Sequence, residues 1–394
     1  MADADVQRRG MTSAFDLLEK FRRKFGGDAR VFRAPGRVNL IGEYTDFNDG
    51  FVMPAAIGRN CWVAAGPRSD RKLVIRSEDF SETYEWDFAS GDPAGTGTWS
   101  DYPVGVAVML RRGGAALGGA NLLIEGDVPI GAGLSSSAAI EVATGYALLD
   151  TSGLPVNGLE LARVCQRAEN GFVGARTGIM DQFASVFGRA GHAIVLDCRS
   201  LNYELAPIPS SVHLVICNTM VKHENSSGEY NLRRAQCEEA VVRLAAFYPG
   251  ITALRDVTIE QLDRQRDALP EVVYRRAAHV VAEDARVLAA VEALAAGDLV
   301  AFGERMAESH ESLRMLFEVS SPELDVMVQL ANRQPGVFGA RMTGGGFGGS
   351  TINVVEAGTA ERFAANMTRA YEEATGRRPD IQICDPGPGA GRAD

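Results

Sequence analysis

Apolar and polar residues recur with two different periods along this 394-residue chain, and the period sorts the segments into helices and strands. Ala14, Leu18, Phe21 and Phe25 fall at helical spacing, so an amphipathic helix is predicted over residues 13–25. Ser13 can accept the first free N–H groups of that helix, and Gly26-Gly27 can end it. Extended segments are predicted at 31–33, 52–55, 60–65, 72–76 and 121–125. A glycine-rich loop at 129–134 then leads into a helix from about Ser136; 159–169 reads as helix and 193–197 as strand.

The texture changes after about residue 200. Pro207 and Pro209 break the chain, a strand follows at 212–218, and long helices come next. Val273, Ala277, Val280, Val287, Val291 and Leu294 stripe one helix face. Strands are predicted at 337–343 and 351–355, on either side of a second glycine-rich loop. The final residues, DPGPGAGRAD, hold too few apolar groups to fold and are expected to be mobile from about residue 385. Strands and helices mix without regular alternation, which predicts an α+β protein of two domains, 1–200 and 201–394, with the active site at their junction.

Composition narrows the partners rather than the fold. With 40 basic and 51 acidic side chains the net charge is −11, which argues against nucleic acid as a partner. The N-terminal stretch has charges throughout its apolar residues, unlike a signal peptide, and no apolar run is long enough to span a bilayer. No membrane association is expected, and a cytoplasmic location is. Six scattered cysteines without a CxxC pair read as reduced thiols, and five histidines show no metal-binding spacing. Nothing in the pattern names a protein partner.

Three stretches carry chemistry. Residues 33–50, RAPGRVNLIGEYTDFNDG, place turn residues Pro35-Gly36 and Gly42 around a short apolar strand, followed by the acceptors Glu43, Asp46, Asn48 and Asp49. Carboxylates in such a loop suit a ligand rich in hydroxyl donors, and Arg37 could meet a phosphate; a plain surface turn has the same composition. Residues 126–139, GDVPIGAGLSSSAA, put flexible glycines and three serines before a helix-forming run. Free N–H groups at a helix start attract anions, and no Lys follows the glycines, so this is not a Walker-A loop. Residues 339–350, GARMTGGGFGGS, formally contain GxGxxG, but a strand follows where a dinucleotide fold needs a helix. A loop closing over a ligand or a structural turn both fit. Glu169 and Asp181, twelve residues apart, supply two further acids.

These motifs, in this order, resemble the galactokinase branch of the GHMP small-molecule kinase family, over about residues 14–383. The resemblance implies an N-terminal domain like ribosomal protein S5 domain 2 and a ferredoxin-like C-terminal domain. It implies phosphoryl transfer from ATP to the anomeric hydroxyl of galactose, with Mg2+. By motif position, Asp181 would face the sugar 1-hydroxyl as base, with Arg37 beside it. Glu43, Tyr44, Asp46, Gly178 and Tyr230 would bind the sugar. Gly131, Ala132, Gly133, Leu134, Ser135, Ser136 and Ser137 would cradle the phosphates, Ser137 and Glu169 would hold Mg2+, and Trp99 and Tyr102 would border the adenine. A kinase for N-acetylgalactosamine or another C4-axial sugar, and a non-catalytic galactose and ATP sensor, are the alternatives. The chain departs from the family at Tyr44, where His is usual, and at Thr177, where Cys is common.

Overall fold

Helix α1 (Ala14–Phe25) forms where the period predicts it, with the Ser13 hydroxyl accepting from the Asp16 N–H (3.1 Å) and Leu17 and Phe21 turned inward. Arg22, Arg23 and Lys24 in its last turn complement the negative end of the helix dipole. The computed structural model describes residues 13–221 and 226–393; the N-terminal reading for residues 1–12 and His223 lie outside them. The strands are β1 (Arg30–Asn39), β2 (Phe51–Val52), β3 (Pro54–Pro67), β4 (Lys72–Ser77), β5 (Glu82–Asp87), β6 (Ala120–Gly126), β7 (His192–Asp197), β8 (Tyr203–Pro207), β9 (Val212–Asn218), β10 (Val337–Thr343), β11 (Ser350–Glu356), β12 (Asp380–Cys384) and β13 (Gly391–Arg392). After α1 come helices α2 (Asp101–Arg112), α3 (Ser136–Thr151), α4 (Gly158–Ala168), α5 (Met180–Phe187), α6 (Ser226–Ala245), α7 (Ile259–Arg264), α8 (Glu271–Ala295), α9 (Leu299–Ser312), α10 (Pro322–Ala331) and α11 (Ala360–Thr375).

The first sheet runs β13-β1-β3-β6-β4-β5, and a small sheet β2-β7-β8 stands beside it. The third sheet runs β10-β11-β9-β12, antiparallel throughout. Numbered from β9, that order is the split βαβ arrangement of a ferredoxin-like sheet, built wholly from residues after Pro209. Helix α3 is central: Ala138, Ala139, Val142, Ala143, Ala147 and Leu148 are all buried, so it sits inside the first domain with its N-terminus aimed at the glycine loop. The main apolar cluster continues from β1, β3 and α3 into Val287 and Ala290 of α8, Phe302 of α9 and Ile352 of β11. The two sheet systems therefore share one core. No helix among the described residues is long and apolar enough to cross a membrane.

Two sequence expectations need correction. Pro35-Gly36 is not a turn before a strand; β1 runs through it, with a bulge between Pro35 and Arg37. Proline lacks the N–H a regular ladder needs, and a bulge is where a sheet tolerates it. Gly36 is required there, because a Cβ would lie 2.5 Å from the Leu134 carbonyl oxygen. The C-terminal tail is not loose either. Gly391 and Arg392 pair with Arg33 and Phe32, and the N–H groups of Gly387, Gly389 and Ala390 bond to Ala56, Gly188 and Ser185 carbonyls. Backbone hydrogen bonds hold this segment where apolar side chains are lacking.

Candidate active site

The β1 bulge sets the central geometry. It brings the Arg37 N–H onto the Leu134 carbonyl (3.0 Å), so β1 lies against the glycine loop. The Arg37 guanidinium, only 4% exposed, then grips Asp181 with Nε to Oδ1 at 2.7 Å and Nη2 to Oδ2 at 2.9 Å. Its third arm donates to the Gly133 carbonyl (2.7 Å). Asp181 lies in the first turn of α5, where the helix dipole favours a negative charge. The Ser135 hydroxyl donates to the same carboxylate. Residues 144 apart in sequence thus form a bidentate pair at the mouth of the glycine loop.

That loop shapes one wall of a cavity of about 1240 Å3 lined from both sheet systems. Gly131, Gly133 and Ser135 all have positive φ (72°, 76° and 57°), which curls the chain over the start of α3. No side chain caps α3, so its first N–H groups remain available to an anion. Gly131, Gly133, Leu134, Ser135, Ser136 and Ser137 line the cavity; Ala132 is buried behind it, its carbonyl taken by the Ser350 hydroxyl (2.7 Å).

Behind Ser137 lies an acidic cluster. Glu169 opens a π-helical turn (Glu169–Val173) and accepts from Ser137, from Thr177 (2.7 Å) and from Gln182 (2.7 Å). Burial, and after it the Asp181 charge, pushes the Glu169 carboxyl above its ordinary value. Glu141, one turn beyond Ser137 on α3, is fully buried, also raised chiefly by burial, and shares the Gln182 amide (3.1 Å). Thr177 therefore makes a polar contact at the position where the resemblance makes Cys common. Among the described residues, no three His, Cys, Asp or Glu side chains converge into a metal site of their own.

On the opposite wall, Glu43 and Asp46 line the cavity, whereas Asn48 bonds the Tyr44 carbonyl (2.8 Å) and Asp49 pairs with Arg199 (3.1 Å). Glu43 is held by Arg341, by Asn39 (2.9 Å) and by the Gly344 N–H (2.9 Å). Asp46 accepts from its neighbour Phe47 N–H (3.0 Å); burial, then the Asp181 charge, raises its carboxyl to about 6. Gly178 packs so closely on Asp46 that it does not itself line the cavity: a Cβ there would meet Oδ2 at 2.0 Å. Tyr44, at φ 68°, directs its hydroxyl to the Gly345 carbonyl (2.5 Å), and its ring packs on Tyr230 (5.0 Å between centroids) and Phe317 (4.5 Å). Tyr44 lines the cavity beside Glu43 and Asp46, and its hydroxyl ties their loop to the glycine loop at 344–349.

At the far end, Trp99 and Tyr102 line the cavity. Phe80, which the sequence reading missed, stacks on Trp99 with centroids 5.6 Å apart and planes 7° off parallel. Glu82 fixes the indole N–H (2.7 Å). Glu141, Gln182 and Arg341 were missed too. The available signal for Glu141 and Arg341 was an ionisable residue inside an otherwise apolar run.

Residues 101–189 match the family described as GHMP kinases N terminal domain, and residues 290–373 match GHMP kinases C terminal. Residues 19–67 match the galactokinase galactose-binding signature. The chain is 46% identical to a galactokinase of Roseiflexus sp. over 385 residues, covering 97% of this chain and 98% of that one. The chain belongs to the galactokinase family of GHMP kinases. A galactokinase of Chloroflexus aggregans is 48% identical over 374 residues, 95% of this chain and 96% of its own length. The crystal structure of Lactococcus lactis galactokinase complexed with galactose superposes with a TM-score of 0.92 at 38% identity, covering 96% of this chain and 99% of that one. Methanococcus jannaschii mevalonate kinase, at 18% identity and TM-score 0.63 over 92% of this chain and 99% of its own, shares the fold. The two-domain GHMP kinase architecture expected from the motifs is thus present.

Proposed function

We propose that the cavity transfers the γ-phosphoryl group of ATP to the anomeric hydroxyl of galactose, with Asp181 and Arg37 as its catalytic residues. The observation that carries this reading is the bidentate Arg37–Asp181 pair at the phosphate loop. The sugar 1-oxygen attacks the γ-phosphorus, the bond from that phosphorus to the β–γ bridging oxygen breaks, and ADP leaves. Asp181 orients the attacking hydroxyl and receives its proton. Arg37 offsets the charge spreading over the transferring group, and the N–H groups at the start of α3 do the same from the loop side. Such transfers pass through a loose transition state, so positioning and charge neutralisation supply most of the rate.

Glu43, Asp46 and Tyr230 face the sugar in this reading, and Gly178 holds Asp46 against it. Trp99, with Phe80 stacked behind it, and Tyr102 border the adenine. A Mg2+ ion fits the remaining chemistry. Burial, and after it the Asp181 charge, raises Glu169, and a cation at this carboxylate would offset both. Ser137 and Glu169 are the side chains that would hold it, with triphosphate oxygens and water completing the shell. When bound, it would neutralise phosphate charge. We place the enzyme in the cytoplasm on the strength of six cysteines that are all free.

The test is Asp181→Ala, assayed with ATP and a panel of sugars. Galactose-dependent ADP formation should be lost while ATP still binds. Phosphorylation of galactose near the wild-type rate would sink the assignment.

A further inference from the structure

A chain of buried charges lies behind the sugar loop, and the transfer chemistry above does not use it. Arg341, on β10, is 0% exposed and does not line the cavity. Its Nη1 reaches Oε2 of Glu43 at 2.5 Å and the Asn39 carbonyl at 3.3 Å. Its Nη2 lies 3.8 Å from Oε1 of Glu283, on α8. Glu283 in turn accepts from the Gly42 N–H (3.0 Å), the Ser309 hydroxyl (2.5 Å) and Nε of Arg286 (2.7 Å). Arg286, Glu283, Arg341 and Glu43 therefore alternate in sign from α8 to the wall of the cavity. His279, also on α8, touches the Glu43 carbonyl (3.2 Å).

The loop cannot place the Glu43 carboxylate by itself. Gly42 precedes it, Tyr44 follows in a left-handed conformation, and the remaining partners, the Asn39 amide and the Gly344 N–H, are neutral. A buried carboxylate without its counter-ion takes up a proton or turns away. Either event removes a fixed acceptor from a pocket that recognises hydroxyl donors. We propose that Arg341 is a positioning residue for the acceptor sugar: it grips Glu43 from behind, holding its carboxylate toward the sugar hydroxyls and in register with the Gly344 N–H. Affinity for the sugar is then set partly by a strand of the C-terminal domain. Nη1 bonds Glu43 and the Asn39 carbonyl while Nη2 faces Glu283 at 3.8 Å, and the single ammonium of Lys cannot occupy both positions.

The inference rests on Glu43 facing the sugar, and Glu43→Gln tests that premise alone: galactose KM should rise about tenfold or more with ATP KM nearly unchanged. Arg341→Lys should do the same, about tenfold in galactose KM and under roughly twofold in ATP KM. The double variant Glu43→Gln/Arg341→Gln removes both charges, so it keeps the proposal testable where Arg341→Lys fails to fold. Its galactose KM should match that of Glu43→Gln within about twofold, because the second change acts only through the first. Effects that multiply in the double variant would overturn the proposal. So would an Arg341→Lys enzyme with a lower melting temperature and an unaltered galactose KM. An unaltered galactose KM in Glu43→Gln would instead overturn the sugar-site reading itself.

Discussion

Asp46→Asn is the substitution with the most exposed consequences, because the structure fixes the direction of both an activity and a stability effect. Burial, and then the Asp181 charge, lifts the Asp46 carboxyl from 3.8 to about 6 against the pull of the Phe47 and Met180 N–H groups and Arg234. That displacement corresponds to roughly 3 kcal/mol of preference for the proton in the folded, sugar-free protein. The sign follows directly. The folded-state value lies above the unfolded one, so the proton's contribution to stability is full below about 4 and is lost as pH rises through about 6. At pH 8 the ionised group therefore costs stability, and Asp46→Asn should melt higher than the wild type.

Sugar binding has the opposite requirement. With Asp46 facing the sugar as proposed, a sugar hydroxyl donates to the ionised carboxylate, so galactose would have to displace the proton when pH is below about 6. Wild-type galactose KM should thus rise about tenfold per pH unit on going below 6, while ATP KM stays level. Asp46→Asn should show a galactose KM raised by roughly 10- to 100-fold at pH 8 and flat with pH, since loss of a charged hydrogen-bond partner costs about 1.5–3 kcal/mol. Steady-state kinetics between pH 5 and 8 with thermal melts on the same samples read both effects. A wild-type galactose KM that does not change between pH 5 and 7 would refute the reasoning.

Gly178→Ala must push Asp46 aside, because the new Cβ would sit 2.0 Å from its Oδ2. Overpacking of this kind costs about 1–3 kcal/mol, so galactose KM should rise roughly 5- to 150-fold at unchanged ATP KM, measured by initial rates. Asp284, whose Oδ1 accepts the Phe51 N–H (2.9 Å) and whose Oδ2 has no partner, is raised to about 7, chiefly by burial. Its proton stabilises the fold at low pH and that benefit is lost as pH rises through about 7, so Asp284→Asn should gain on the wild type in melting temperature between pH 6 and 8. Parallel melting curves for the two proteins across that range would count against the assignment.

How far the sequence could be read depended on how locally each feature is encoded. The Ser13-capped α1 and the strand 212–218 obey one short pattern each, and both lie where that pattern puts them. The β1 bulge does not: Pro35-Gly36 reads as a break in any window, and only the approach of the Leu134 carbonyl turns it into a feature of a continuous strand. The tail was misread for a related reason. Its hydrogen bonds go to β1, to Ala56 and to the end of α5, and no property of its own ten residues announces those partners.

The site divides the same way. Arg37 and the serines of the glycine loop are residue types that suit a phosphate, whereas the approach of Asp181 to Arg37 was expected only from the resemblance of the motifs to the galactokinase family. Phe80 carries no motif, and it matters only because the β4–β5 turn lays its ring on Trp99. Arg341 was hidden differently. It sits inside a glycine motif, where attention goes to the loop, yet an arginine in an apolar strand has to find a buried counter-ion or stay outside the fold. That requirement points to a carboxylate elsewhere in the chain without naming it, and two candidates, Glu43 and Glu283, meet it at once. One of them lines the cavity and the other holds the Gly42 N–H, so the ion that satisfies the core also holds the loop proposed to meet the sugar.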